Sequence, residues 1–290
     1  MINTIKSKLF ICVGVILFIN SCAIAGSWAY ERLDKYLSNY FFTYADFTYA
    51  QKEEIKKVNN DFKQWLSFNQ LPQIQILLLE ITSLGPSSTN QEIDDIYSTG
   101  YETFLSVNNY FNPHLVKFSK SLTKNQIDQI KDHFSEIRLK RNQERREQEE
   151  ESYERRLLQG WVDGLDRLGV ELLDEQETLL RESLADMKDN GLQWDLLQET
   201  WTEEFIGILR KNREPDFEKL LNNHLQQLFN LGDSNFKFQI KNNRKLGVVA
   251  ISQLVRSLNE NQRKKLVNKI AVYQKSIKKI IENGNQDPSA

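Results

Sequence analysis

Apolar side chains recur every three or four residues along most of the chain. Near the C-terminus they fall at Leu266, Ile270, Tyr273, Ile277 and Ile280, a spacing that places them on one face of a helix. No segment alternates apolar and polar residues long enough to predict a strand. With 12 glycines and 5 prolines, the chain also has few turn-forming residues. The pattern predicts an all-α fold: a multi-helix bundle with one long charged helix.

A short motif marks several predicted helix starts: an apolar residue, a capping residue, two variable positions and a glutamine. The copies run over Thr48–Gln51, Thr123–Gln126, Leu173–Gln176 and Asn259–Gln262. A Thr or Asn N-cap accepts a hydrogen bond from the amide three residues on, and glutamine there bonds back to the cap amide. We interpret the motif as structural, with a degenerate copy at Leu173. Its predicted capping residues are Thr48, Gln51, Thr123, Gln126, Asn259 and Gln262.

The long charged helix is predicted in the middle of the chain. After Ile127, Ile130 and Phe134, residues 138–156 carry charges of both signs and almost no apolar side chain. A heptad coiled coil would need apolar residues at its a and d positions, which are missing here. The segment therefore predicts a solvated single helix, held by ion pairs between residues four apart.

The N-terminal segment has a different character. Lys6 and Lys8 precede an apolar run over residues 9–19, which is too short for a transmembrane helix of about 20 residues. A short apolar run behind positive charge is typical of an export signal, which is removed from the mature protein.

Two cleavage sites compete at the end of this signal. Residues 19–22 (Ile-Asn-Ser-Cys) resemble the lipobox of bacterial lipoproteins, whereas Ala23 and Ala25 form a site for ordinary signal peptidase. We favour lipidation of Cys22, because it lies where the apolar run ends. We predict a signal peptide over 1–21, a helical lipoprotein domain over 22–282 with a candidate internal boundary within 121–160, and a disordered tail over 283–290.

Charge is unevenly distributed although the net charge is only -2. Residues 160–230 hold 16 acidic and 7 basic side chains, whereas residues 237–279 hold 1 acidic and 12 basic ones. We expect the two segments to pack together, with the apolar stripe of the last helix facing the core. An anionic membrane surface or an acidic protein remains an alternative partner for the lysines. We predict no nucleic-acid binding, because the chain is exported and no set of stacking aromatic residues accompanies the lysines.

Candidate chemistry is sparse. The three histidines are His114, His133 and His224. None has the local spacing of a zinc site. The sequence lacks a nucleophile elbow, a phosphate-binding glycine loop and a dinucleotide fingerprint. We therefore predict no catalytic residue, no metal and no cofactor.

Carboxylate pairs keep one enzymatic alternative open. They include Asp163 with Asp166 and Glu203 with Glu204. Because glycoside hydrolysis uses two carboxylates, the alternative is an envelope enzyme that acts on peptidoglycan or another glycan. Trp194 and Trp201 could stack on a sugar, but their spacing of seven is typical of a core stripe.

The order of these features resembles an uncharacterised family of proteobacterial lipoproteins. The features are the lipobox, the aromatic stretch 36–47, the motif at Thr48, the Arg-rich helix ending at Arg155 and Arg156, and residues 161–165 (WVDGL). The resemblance extends over about residues 28–280 and implies a helical fold and an envelope address. The capping motif alone resembles the LTxxQ motif of the Spy and CpxP periplasmic stress proteins, which are small helical chaperones or adaptors.

Together these features predict a membrane-anchored lipoprotein on the periplasmic face of the outer membrane. Ala23, directly after the lipidated cysteine, fits the outer-membrane pattern of such lipoproteins. We expect a binding, scaffolding or chaperone-like module that contacts the membrane through its lipid and has an envelope protein as partner. The sequence leaves the oligomeric state open.

Overall fold

The computed structural model describes residues 25–147 and 152–284, which are helical and contain no β-strand. The helices of the first part are α1 (Ala25–Glu31), α2 (Leu33–Phe42), α3 (Tyr49–Trp65), α4 (Leu71–Ser83), α5 (Asn90–Ser119) and α6 (Lys124–Glu147). Those of the second part are α7 (Tyr153–Arg167), α8 (Asp174–Leu184), α9 (Gly191–Leu209), α10 (Phe217–Gln227), α11 (Ser234–Ser257) and α12 (Glu260–Gly284). A π-helical turn, Leu66–Gln70, joins α3 to α4. The prediction of an all-α bundle is confirmed.

Several predictions fall on residues outside this description. The signal peptide and the lipidation site at Cys22 precede residue 25, and most of the predicted tail follows Gly284, where α12 ends. Among the described residues, none of the helices combines the length and the apolar character needed to cross a bilayer.

The first two copies of the capping motif meet in the interior. Thr48 Oγ1 accepts a hydrogen bond from the backbone N–H of Gln51 at 3.3 Å, and Gln51 Oε1 accepts one from the Thr48 N–H at 2.9 Å. Thr123 and Gln126 make the same pair of bonds at 3.2 and 3.1 Å. The two buried glutamine side chains then bond each other, Nε2 to Oε1, at 3.1 and 2.7 Å. The starts of α3 and α6 are therefore fastened together.

The other two copies are arranged in the same way. The side chains of Gln176 and Gln262 exchange hydrogen bonds at 3.1 and 2.7 Å. Asn259 caps α12 through its Oδ1, which accepts from the Gln262 N–H at 2.9 Å. Leu173 has no side-chain oxygen, so it contributes only its backbone N–H, which donates to Gln176 Oε1 at 3.0 Å.

The remaining amide proton of each glutamine goes to an equivalent place in both pairs. Each glutamine Nε2 donates it to a backbone carbonyl oxygen two residues before the partner motif begins. The acceptors are Ser121 for Gln51, Asp46 for Gln126, Ser257 for Gln176 and Glu171 for Gln262. All donors and acceptors of the four side-chain amides are thereby used. The fold thus contains two equivalent helix-start pairs, one in each half of the chain.

The two ends of the described chain share one part of the core. Ile277 and Ile280 of α12 pack in the same buried cluster as Leu33 and Leu37 of α2, around the fully buried Phe62. The apolar stripe of α12 faces the core, as predicted. The acidic and basic segments also pack together, because α8 lies against α11.

The predicted charged helix needs correction in two respects. It does not run to residue 156, because Ser152 has an extended backbone and its Oγ accepts from the Arg155 N–H at 3.3 Å, which starts a new helix at Tyr153. In its described part it is also not a solvated single helix, because two of its arginines pair with another helix. Arg138 and Arg145 form ion pairs with side chains of α9.

Candidate groove between helices α5, α6, α9 and α11

A groove of 1120 Å³ lies between helices α5, α6, α9 and α11. The link between α10 and α11 forms part of its lining. The groove exists because α9 packs against α6 and α11 packs against α5, which leaves space between the two helix pairs. Nine aromatic side chains line it.

An aromatic ladder on α5 forms one wall. Tyr97, Tyr101 and Phe104 follow each other at successive helical turns, so they share one face. Their ring centroids are 6.4 and 5.9 Å apart, and the ring planes are within 11° and 21° of parallel. Phe229 meets Phe104 edge-on at 5.2 Å. Tyr97 remains 46% exposed and Tyr101 39% exposed, so the ladder offers apolar surface to a ligand.

One end of the ladder is held by Arg244 of α11. Its guanidinium lies 4.5 Å from the ring centroid of Tyr97, a cation–π contact. Its Nε donates to Asp94 Oδ1 at 2.8 Å, and one Nη donates to Ser98 Oγ at 2.6 Å. These bonds tie α11 to α5 and fix the position of the first ring.

A row of charged side chains on α6 also lines the groove. Arg138, Arg141 and Arg145 project from successive turns of α6. Arg138 pairs with Glu199 and Arg145 with Asp195, both on α9. Burial lowers the pKa of Arg141, while Asp195 acts in the opposite direction. The row joins α6 to α9 and keeps guanidinium groups along the groove.

The tryptophans of α9 combine core and groove positions. Trp194 stacks on Phe236 of α11, with ring centroids 6.1 Å apart. Trp201 stacks on His224 at 4.6 Å, and its Nε1 donates to the His224 carbonyl at 3.1 Å. His224 Nε2 in turn lies 2.8 Å from the Trp201 carbonyl oxygen. His224 is therefore a packing residue.

The other two histidines are also held by packing contacts. His114 lies against the ring of Tyr110 and His133 against that of Tyr44, at centroid distances of 5.1 and 4.3 Å. Partial burial lowers the pKa of His133. Over residues 25–147 and 152–284, no group of three or more His, Cys, Asp or Glu side chains could hold a metal ion.

The two candidate carboxylate pairs lie on different helices, Asp163 and Asp166 on α7 and Glu203 and Glu204 on α9. Asp163 lies on α7 and accepts a hydrogen bond from Gln159 at 2.7 Å. Glu203 lines the groove, whereas Glu204 lies 3.7 Å from His224 Nδ1. The capping residues predicted from the motif lie in the glutamine pairs and do not line the groove. The spacing of four and three residues in the ladder on α5 indicates a shared helix face, but the sequence alone does not show that this face is exposed.

Comparison with known proteins identifies a family. The model of a family of unknown function, DUF6279, matches residues 43–237, a shorter part of the chain than the resemblance over residues 28–280. Neither the curated proteins nor the solved structures contain a match to the chain. The resemblance to the LTxxQ-type stress proteins is not confirmed by these comparisons.

Proposed function

The chain belongs to the DUF6279 family, whose function is unknown, and we propose that it is a lipid-anchored envelope protein whose groove binds extended segments of polypeptide. The observation that carries the proposal is that an exposed aromatic ladder and a row of guanidinium groups line the same groove. In this role the protein acts as a scaffold or in a chaperone-like way for envelope proteins.

The size and chemistry of the groove support a polypeptide ligand. At 1120 Å³, the groove exceeds the range of about 300–1,000 Å³ that is usual for small-molecule sites. The stacked rings can cover apolar side chains, and the arginine, asparagine and glutamine side chains can bond peptide groups. Three of its four carboxylates, Asp189, Asp195 and Glu199, are paired with arginines. That arrangement favours binding over acid–base catalysis by a carboxylate pair.

The position of Trp28 supports the proposed anchor at Cys22. Trp28 lies six residues after Cys22 and is 48% exposed. Six residues span at most about 20 Å, so lipidation of Cys22 would keep this ring close to the lipid headgroups. Tryptophan is enriched at membrane interfaces, where its ring is stabilised.

Substitution of Cys22 tests the anchor. Cys22→Ser removes the thiol that carries the lipid, so metabolic labelling with a fatty-acid analogue is expected to disappear and the chain to leave the membrane fraction. Cys12→Ser changes the other cysteine, which lies inside the apolar run, and should leave labelling intact. Undiminished labelling of Cys22→Ser, or a mature N-terminus at Gly26, would refute the anchor.

Suppression of aggregation tests the groove. The unlipidated chain from Ala23 onward should reduce light scattering by an unfolded model protein without ATP, because the sequence has no nucleotide-binding motif. The double variant Tyr97→Ser and Tyr101→Ser should lose most of this effect. Phe238→Ser is the matched control, because Phe238 is 68% exposed but does not line the groove. Equal loss in both variants, or no suppression by the native sequence, would contradict the proposal.

A further inference from the structure

The lining of the groove carries an excess of positive charge. It has nine basic and four acidic side chains, an excess of five positive charges, although the whole chain carries a net charge of -2. Arg210 and Arg244 pair with Asp128 and Asp94, which lie outside the lining, so the lysines of the lining contribute most of the remaining excess. A positive cleft with apolar walls concentrates anionic ligands, because low-dielectric walls focus its field.

Part of the excess lies on α11, beside apolar side chains. Lys237 and Lys241 are one helical turn apart, are exposed, and line the groove. Phe236 and Ile240 lie beside them on α11 and line the same groove. Since α11 packs against α5, these lysines belong to the same groove as the ring ladder. The groove therefore combines cationic groups with apolar surface.

We propose, on the basis of the polypeptide-binding function, that the groove selects acidic segments of extended polypeptide. Carboxylates of the segment pair with Lys237 and Lys241, while its apolar side chains cover the rings of Tyr97, Tyr101 and Phe104. Because α11 packs against α5, one extended segment that carries both acidic and apolar side chains can reach the lysines and the rings together. Charge complementarity determines which segments bind, and the rings contribute the apolar contact.

A pair of matched peptides tests this selectivity. Two fluorescent peptides of equal length share the same apolar residues, and one carries glutamate where the other carries glutamine. Fluorescence anisotropy with residues 23–290, which include every described helix, measures their affinities. The glutamate peptide is expected to bind about ten-fold more tightly at low ionic strength, with the difference shrinking in 1 M salt, where the Debye length is about 3 Å.

Two double variants locate the selectivity. Lys237→Gln with Lys241→Gln should abolish most of the difference between the peptides. Lys275→Gln with Lys279→Gln is the control: it removes the same charge from exposed positions of α12 that do not line the groove, and should preserve the difference.

The remaining outcomes separate the two proposals. Equal binding of both peptides would overturn the inference and leave polypeptide binding standing, whereas no binding of either peptide would overturn both. Vesicles containing phosphatidylglycerol test the alternative of an anionic lipid surface. If the Lys237 and Lys241 variant loses vesicle binding but keeps its preference for the glutamate peptide, these lysines serve the membrane and the inference is wrong.

Discussion

Replacing Gln126 with alanine is expected to lower the free energy of unfolding by about 3 kcal/mol, because each buried polar group left without a partner costs about 1–3 kcal/mol. The side-chain amide of Gln126 accepts a hydrogen bond from the Thr123 N–H and donates to the Asp46 carbonyl oxygen and to Gln51 Oε1. Alanine would leave the buried Gln51 amide without this partner, and would remove the partner of the Thr123 N–H and the Asp46 carbonyl at partly buried positions. The effect is expected in urea denaturation, as a lower midpoint with an unchanged slope.

Thr123 provides the matched comparison within the same motif. Thr123→Ala removes only the N-cap bond and should cost about 1 kcal/mol, while Thr123→Ser should cost little. A loss for Gln126→Ala no larger than for Thr123→Ala would show that the glutamine pair adds nothing to ordinary capping.

The second large effect is expected from removing residues 266–290. The deletion takes away Ile270, Tyr273, Ile277 and Ile280, all buried in the core. Burial of each such side chain contributes about 1.5–3 kcal/mol, and whole domains are stable by only about 5–15 kcal/mol. The truncated chain should therefore lose cooperative thermal unfolding by circular dichroism.

A shorter deletion controls for the loss of chain length. Removing residues 285–290 leaves α12 complete to Gly284 and should leave the melting temperature unchanged. A cooperative transition near that of the native chain after the longer deletion would contradict the packing of α12 into the core.

The fold class and many helix starts were predictable because both are local properties. Apolar spacing defines the core face of a helix, and a cap such as Thr48 with Gln51 lies within four residues of the chain. The meeting of Gln51 with Gln126 is different in kind, since the two are separated by 75 residues. The capping bonds of each motif lie within four residues. Nothing in those residues indicates that the glutamine also forms a hydrogen bond with the glutamine of another motif in the same chain.

The partners of the charged helix also could not be predicted from local sequence. Arg138 and Arg145 look solvated in the sequence because their neighbours along the chain are polar. Their partners, Glu199 and Asp195, lie on α9 and come close only when α6 and α9 pack. Ser152 carries a local signal as a helix cap, but the charged residues on both sides of it favour one continuous helix.

The groove could be predicted only in part. The spacing of Tyr97, Tyr101 and Phe104 shows that they share a face of α5, but such a stripe is usually buried. Whether a shared face is covered or open depends on how other helices pack, and here the space between α6, α9 and α11 leaves it exposed. Trp194 and Trp201 have the spacing of a core stripe and also line the groove. Periodicity alone cannot distinguish a fully buried stripe from one that also lines a groove.

Site-specific photo-crosslinking tests the groove as a polypeptide-binding site most directly. A photoreactive phenylalanine analogue at Tyr101 places the probe in the ladder, and the same analogue at Phe238 places it on exposed surface outside the groove. With an unfolded, acidic model polypeptide, irradiation should crosslink the chain strongly from position 101 and weakly from position 238. Equal crosslinking from both positions, or none from position 101, would contradict the account.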